Sequence, residues 1–308
     1  MKVARSAGYA LHVMTASGAV AGMLALQALI DNHVRAALIW LIVCQVLDGL
    51  DGPIARRIDV IIHANRVNGN ILDLVVDYVT CVVVPVAFLV SLKLLPSSFE
   101  TFLAAMIILF SALWFARNDL ETQDHWFNGF PAVWNLVVPT FIIFDSSPKQ
   151  VAWVSTLLCV SQLTALKFPH LVRVRAMRNI TLPIAMIYLI NLTILSMNYS
   201  DKNGPTSSAL GRAILLAFPI YIGLLSFWRT FFPRFVFLGI RIADEEALNP
   251  PRRISRIRKK VTETQSSPSN SSQAKSSQAK SSIGKSSQGK SSLGKKAVKK
   301  SVKKAAKK

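Results

Sequence analysis

The chain has 308 residues, 51% of them hydrophobic, with a mean hydropathy of +0.38 and a formal net charge of +20. A soluble domain rarely combines such hydropathy with such charge, so the two properties belong to different parts of the chain. Residues 252–308 hold eighteen Lys or Arg against one acid, Glu263, and what precedes them is close to neutral and strongly apolar. Cys44, Cys81 and Cys159 all lie in apolar stretches. An odd number without metal-ligand spacing argues against a disulfide framework or a zinc site and leaves them as small buried apolar residues.

In chain order, apolar stretches recur at 8–29, 36–52, 70–92, 99–116, 130–145, 150–167, 180–197 and 209–231. Each approaches the length of about 20 residues with which a helix crosses a bilayer. The pattern predicts an all-α, polytopic membrane bundle of about eight transmembrane helices. Lys2 and Arg5 before the first stretch suggest a secretory leader, but the apolar run is too long and no clear small-x-small cleavage site follows, so it reads as the first span. The fifth stretch is short and opens on Gly129-Phe130-Pro131, which points to a partly re-entrant segment. Loop charge sets the orientation. With the N-terminus in the cytoplasm, the inside loops hold Lys2, Arg5, Arg56, Arg57, Arg66, Arg117, Lys167, Arg173, Arg175 and Arg178. An even number of spans returns the C-terminus to the same side.

Pro250-Pro251 ends the apolar part, giving a membrane domain at 1–245 and a Lys/Ser/Ala-rich tail at 246–308. The tail carries a Ser-Ser-x-x-Lys repeat from Ser271 to Lys295 and closes in Lys/Ala/Val runs. It buries too little apolar area to offset chain ordering and is expected to be disordered. Its lysines suit phosphates of anionic lipid at the inner leaflet, or of nucleic acid, and a passive solubilising extension is equally consistent.

The chemistry concentrates in Asp48-Gly49-Leu50-Asp51-Gly52-Pro53-Ile54-Ala55-Arg56, continued by Gly69-Asn70-Ile71-Leu72-Asp73-Leu74-Val75-Val76-Asp77. Asp48 and Asp51 are spaced i,i+3, and Asp73 and Asp77 i,i+4, so each pair shares one helix face. A short link makes the two helices antiparallel neighbours, with both pairs at the same membrane end. Carboxylates there cost several kcal/mol each unless solvated or paired. Four that converge are best reconciled by one or two divalent ions with oxygen ligands, of which Mg²⁺ and Mn²⁺ are suitable. Gly52 lets a phosphate approach the backbone, Ala55 keeps a helix face thin, and Arg56 offers a forked donor to a diphosphate. Gly69 opens space beside Asp73 and Asp77, and Pro53 is expected to kink its helix. The five histidines lie near span ends or in loops and read as solvated.

These residues resemble the signature of CDP-alcohol phosphatidyltransferases, D-x-x-D-G-x-x-A-R, a spacer, then G-x-x-x-D-x-x-x-D. Asp48, Asp51, Gly52, Ala55, Arg56, Gly69, Asp73 and Asp77 fill every position. One departure is the spacer, Arg57 to Asn68, longer than is typical of the family at large. That spacer, the number of spans and the stretch Phe127-Asn128-Gly129-Phe130-Pro131-Ala132-Val133-Trp134-Asn135 are similar to the branch of the family whose acceptor alcohol is choline. The likeness covers roughly residues 5–240.

The resemblance implies a bacterial inner-membrane enzyme that joins CDP-diacylglycerol to an alcohol, here choline, and releases CMP, with both termini and the site in the cytoplasm. It implies that Asp48, Asp51, Asp73 and Asp77 bind two Mn²⁺ or Mg²⁺ ions, that Asp77 is also the catalytic base, and that Gly52, Ala55, Arg56 and Gly69 contact the CDP-lipid. A homodimer is among the assemblies it allows. Choline has no ammonium hydrogen, so ring faces are its usual partners, and Trp126, Phe127, Phe130, Trp134 and Tyr78 are candidates. Belts of aromatics at the membrane interface are the plainer account of the same residues, and Tyr78 should point away from Asp77. Serine, glycerol phosphate or inositol phosphate remain alternative acceptors, the phosphorylated ones drawing on Arg173 to Arg178. Outside the family, a cation transporter would also place acids in a membrane, but the internal repeat usual in transporters is not found.

Overall fold

The computed structural model of the protein describes residues 2–57, 66–174, 177–234, 236–237, 240–241 and 243. The tail at 246–308 and most of the spacer after Arg57 therefore lie outside the described residues. Among the described residues, helices fall on all eight expected stretches: α1 (Lys2–Ile30), α2 (Val34–Arg57), α3 (Gly69–Ser91), α4 (Glu100–Phe115), α5 (Trp134–Ile143), α6 (Pro148–Gln162), α7 (Arg178–Met197) and α8 (Ala209–Phe231). Five of them, α1, α2, α3, α7 and α8, are long and apolar enough to cross a membrane. Their outward faces carry Val13, Met23, Ile187, Leu210 and Leu224 exposed, as expected where lipid replaces water. Pro53 does not end α2, which runs on to Arg57.

The middle three helices are shorter. At 16, 10 and 15 residues, they extend about 24, 15 and 22 Å at 1.5 Å per residue, less than the hydrocarbon core of about 30 Å. The fifth stretch becomes helical only at Trp134, because Gly129 and Ala132 take positive φ of 84° and 55° and hold the chain out of helical conformation. The sixth starts at a Ser147 capping box with Pro148 in the first turn and stops at Gln162. Lys167, expected at its end, instead lies in a strand. That strand, β2 (Lys167–Pro169), pairs antiparallel with β1 (Trp126–Asn128), so Trp126 faces Pro169 and Asn128 faces Lys167. A second two-residue pair, β3 (Val236–Phe237) and β4 (Ile240–Arg241), follows α8.

α3 is not uniformly α-helical. It is α-helical over Gly69–Asp77, π-helical over Tyr78–Val83 and α-helical again over Val84–Ser91. Pro85 supplies the reason. It has no N–H and its ring crowds the preceding turn, and the change of register places it in the first turn of the last segment, where no intrahelical donor is required. Single π turns of this kind are frequent at functional sites.

The main core joins Leu38 and Leu41 of α2, Phe88 and Leu89 of α3, Ile107 of α4 and Trp134 and Val138 of α5. A second cluster ties α7 to α8, with the Tyr188 and Phe218 rings stacked at 4.4 Å. The β1–β2 ribbon is held from three sides. Arg117, at the end of α4, donates to the carbonyls of Asn128, Gln162 and Thr164. The same guanidinium pairs with Asp119 at 2.8 Å and holds that carboxyl below its usual range. Gly129 lies so near α6 that a Cβ there would sit 2.3 Å from the Gln162 carbonyl oxygen. From α8, buried Arg229 reaches Asp124 at 2.9 Å and lies 5.8 Å over the Trp126 ring.

Removing one member of a buried ion pair strands the other charge, at a cost of about 3–5 kcal/mol, whereas replacing both by apolar groups is often close to neutral. Arg229→Met should therefore lower the thermal unfolding midpoint in detergent sharply. The double change Arg229→Met with Asp124→Leu should recover most of the loss.

Candidate functional site

α2 and α3 bring the four acids of the motif together. Ligand atoms of Asp48, Asp51 and Asp73 lie within 4.8 Å of one another, and so do those of Asp48, Asp77 and Cys81. Asp48 belongs to both groups. Asp51 is buried and the other three acids are half-buried. Two unit charges at that separation repel by roughly 3–4 kcal/mol at an effective dielectric constant of about 20, so neighbours must hold the cluster in place. Asn68 caps the start of α3, its side chain accepting from the Ile71 amide at 3.3 Å, so the acids of α3 begin one turn inside a helix N-terminus.

The first helix supplies part of the support, which the motif alone does not reveal. Gly18 and Gly22 form a small-xxx-small stripe that lets α1 approach α3 closely. A Cβ on Gly18 would meet Val76 Cγ1 at 3.0 Å, and one on Gly22 would meet Val84 Cγ2 at 3.3 Å. The same approach lets Thr15 Oγ1 donate to Asp51 Oδ2 at 2.9 Å. One turn earlier, His12 is buried (8% exposed), its ring edge-on to Tyr9. Its Cε1 would sit 3.1 Å from a Cβ at Gly69. Reading His12 as a solvated loop residue is thus corrected: it lies on the inner face of α1, against the glycine of the motif. A helical i,i+3 relation to Thr15 was the available signal.

The second support is a chain of amides. Gln45 Nε2 donates to Asp48 Oδ2 at 3.2 Å, and Asn135 Nδ2, from the first turn of α5, donates to Gln45 Oε1 at 2.8 Å. Gln45 and Asp48 are spaced i,i+3 on α2, but Asn135 comes from ninety residues further along, beyond reach of local pattern. A basic contribution comes from Arg173, whose charge acts on Asp73 while its guanidinium pairs with Glu121 at 3.1 Å.

The remaining expected residues divide. Gly52 and Ala55 lie half-buried on α2, and Ala55 packs with Ile54, Tyr9 and Met14 around Leu11. Arg56 lies in α2 with its side chain outside the described residues, as does all of Arg175. Tyr78 points away from the acids, donating to the Ile108 carbonyl at 3.2 Å, as expected. The aromatic candidates do not share one open cage. Trp126 is fully buried under Arg229, in a cluster with Val174 and Leu225. Phe127 stacks on His170 at 5.2 Å. Phe130 and Trp134 lie edge-to-face at 5.5 Å in the main core, where the Trp134 indole donates to Ser111 Oγ at 3.0 Å. All three cysteines are buried and free, and Cys81 adds its sulfur at the rim of the acid cluster.

Long apolar helices that end in converging acids define a multi-pass membrane protein with a candidate metal centre. The residue pattern of the CDP-alcohol phosphatidyltransferase family matches residues 11–165, a segment that contains all four acids. Curated relatives extend the likeness beyond that segment. A phosphatidylcholine synthase of Bradyrhizobium diazoefficiens is 36% identical over 74% of this chain and 85% of its own length. One of Pseudomonas aeruginosa is 35% identical over 62% of this chain and 80% of its own. One of Borreliella burgdorferi is 26% identical over 72% and 93%. The chain belongs to the CDP-alcohol phosphatidyltransferase family.

The donor set fits a divalent cation. Clustered carboxylates are hard oxygen donors that leave uncompensated negative charge, and such sites suit Mg²⁺ or Mn²⁺. If Thr15 orients Asp51 for that role, Thr15→Val should weaken divalent-ion affinity about tenfold or more, the range found for partners of metal ligands. A titration of metal-depleted protein with Mn²⁺, followed by calorimetry, measures the shift.

Proposed function

We propose that the chain condenses CDP-diacylglycerol with choline, giving phosphatidylcholine and CMP, at the cytoplasmic face of a bacterial inner membrane. The observation that carries the reaction class is the convergence of Asp48, Asp51, Asp73 and Asp77 from two neighbouring helices. The choline assignment is supported by the several curated relatives that bear the name phosphatidylcholine synthase. The cytoplasmic placement is supported by the basic residues of the loops on the same side as the motif.

In this reading Asp48, Asp51 and Asp73 hold Mn²⁺ or Mg²⁺, and Asp77 joins them as a ligand. Two ions suit the two overlapping donor groups that share Asp48. Bound there, a divalent ion neutralises diphosphate charge and stabilises the departing phosphate oxygen. The protein's own groups do the rest. Gly52 and Gly69 leave room for the nucleotide to lie along α2 and α3, with His12 beside it at Gly69, and Arg56 is the forked donor to the diphosphate. Asp77 takes the proton of the choline hydroxyl as its oxygen attacks the lipid-side phosphorus. The bond from that phosphorus to the bridging oxygen breaks, and CMP leaves with the electron pair. In-line placement of the two reacting oxygens supplies much of the rate, because a free alcohol is a poor nucleophile at neutral pH.

Purified protein given CDP-diacylglycerol, Mn²⁺ and labelled choline should incorporate the label and release CMP in equal amounts. Incorporation of serine or inositol phosphate with none of choline would redirect the assignment within the family. Asp73→Asn and Asp77→Asn should each reduce turnover to background while the protein still inserts into membranes, and a strong chelator should do the same to the wild type. Removal of residues 252–308 should leave turnover largely unchanged.

A further inference from the structure

The amide chain behind Asp48 has a direction, and the direction leaves one atom over. An ionised carboxylate only accepts hydrogen bonds, so Gln45 must turn its NH₂ toward Asp48, where Nε2 lies 3.2 Å from Oδ2. Its Oε1 then faces Asn135 and takes the Asn135 NH₂ at 2.8 Å. What remains is Asn135 Oδ1, on a side chain only 2% exposed, with no hydrogen-bond partner among the described residues. Reversing Asn135 alone would set two amide oxygens against each other. Reversing both amides would press the Gln45 oxygen onto the carboxylate. The acid cluster therefore fixes the orphaned acceptor, although Asn135 itself touches no acid.

A buried acceptor with no donor is costly to the fold and calls for an explanation, and among the unpartnered buried atoms of the described residues Asn135 Oδ1 is the one tied by hydrogen bonds to the acid cluster. We infer that Asn135 Oδ1 binds the cationic end of the acceptor alcohol, an inference that rests on choline being that alcohol. A quaternary ammonium has no N–H to give, but its charge spreads over its methyl groups, which settle against carbonyl-type oxygens and ring faces. Asn135 follows Trp134 in the first turn of α5, and Phe130 lies edge-on to that indole. The Gln45 amide links Asp48 to Asn135 through hydrogen bonds of 3.2 and 2.8 Å, so the orphaned acceptor belongs to the same polar chain as the acids at which the alcohol is held for attack. An amide oxygen also suits this place better than a carboxylate would. It attracts the onium without adding another charge to a crowded acid cluster or competing for the divalent ion.

The test uses the full-length chain in lipid vesicles with CDP-diacylglycerol and Mn²⁺, and tetramethylammonium as a probe that carries the onium without the hydroxyl. Asn135→Ala should raise the KM for choline and the Ki of tetramethylammonium together, about tenfold, as expected for loss of one contact to a charged group. The KM for CDP-diacylglycerol should not move. The near-isosteric Asn135→Asp places a full negative charge there and should lower the Ki of tetramethylammonium below that of the wild type, whatever happens to kcat. A Ki unchanged in Asn135→Ala, a choline KM that rises alone, or an Asn135→Asp variant that binds the probe no better than wild type would each overturn the assignment. Should Asn135→Ala fail to fold, the Asn135→Asp comparison decides. A wild type that neither incorporates choline nor responds to tetramethylammonium would instead remove the acceptor reading, and the assignment with it.

Discussion

Four carboxylates held at the ends of two apolar helices set the terms for the rest of the structure. Asp51 is withdrawn from bulk water and the other three partly so, and neighbouring ligand atoms lie within 4.8 Å, so mutual repulsion favours splaying α2 from α3. The protein opposes this by closing other elements around them. α1 is drawn onto α3 by the absence of side chains at Gly18 and Gly22, and from that position it gives Thr15 to Asp51. α5 sends Asn135 to Gln45 and, through it, restrains Asp48. Both restraints reach the acid oxygens with neutral donors, which orient the acids without adding a competing positive charge.

The cations around the β1–β2 ribbon are arranged to the same end. Arg117 is spent on Asp119 and three backbone carbonyls, Arg229 on Asp124 and the face of Trp126, and Lys167 on the side chain of Asn128. None of these is bonded to an acid of the motif. Arg173 differs, since its charge acts on Asp73 while Glu121 holds its guanidinium. Glu121 is also bonded to His125 at 2.8 Å, and His125 sits at positive φ in the turn that opens β1. A single carboxylate thus couples the position of Arg173 to the conformation of the β1 turn. The strands are three residues each, yet they help set where Arg173 stands relative to the site.

Much of this was legible in the sequence because it is written in local spacing. Apolar length marked the eight helices, and i,i+3 and i,i+4 spacing put Asp48 with Asp51 and Asp73 with Asp77. The features that were not legible are those that depend on distant partners. Thr15 and Asp51 are thirty-six residues apart and Asn135 and Gln45 ninety, and nothing in either local pattern announces the other. Gly18 and Gly22 carried a recognisable spacing, but an apolar helix with two glycines does not say which neighbour it meets. The π turn after Asp77 had a cue in Pro85, eight residues on, although a proline in an apolar run more often predicts a kink. Gly129-Phe130-Pro131 marked the fifth stretch as short, whereas the early end of α6 was hidden because residues 163–166 are nearly as apolar as the helix they follow.

The aromatic stretch before α5 shows how packing limits what residue type alone suggests about recognition of the acceptor. Trp126, Phe127, Phe130 and Trp134 have the composition of an onium cage, yet their rings are engaged by Arg229, His170, Phe168 and one another. Ring faces already in contact cannot all turn toward a ligand in a close-packed interior. Their packing instead fixes the start of α5, since Trp134 is anchored through Ser111 to Gln162 of α6 and its backbone carries Asn135. An asparagine in an apolar run attracts little notice in a sequence, but here it is the polar group whose orientation the acids dictate. The aromatics then act as the rigid mount, and the amide they position is the part of the stretch that the acid cluster reaches.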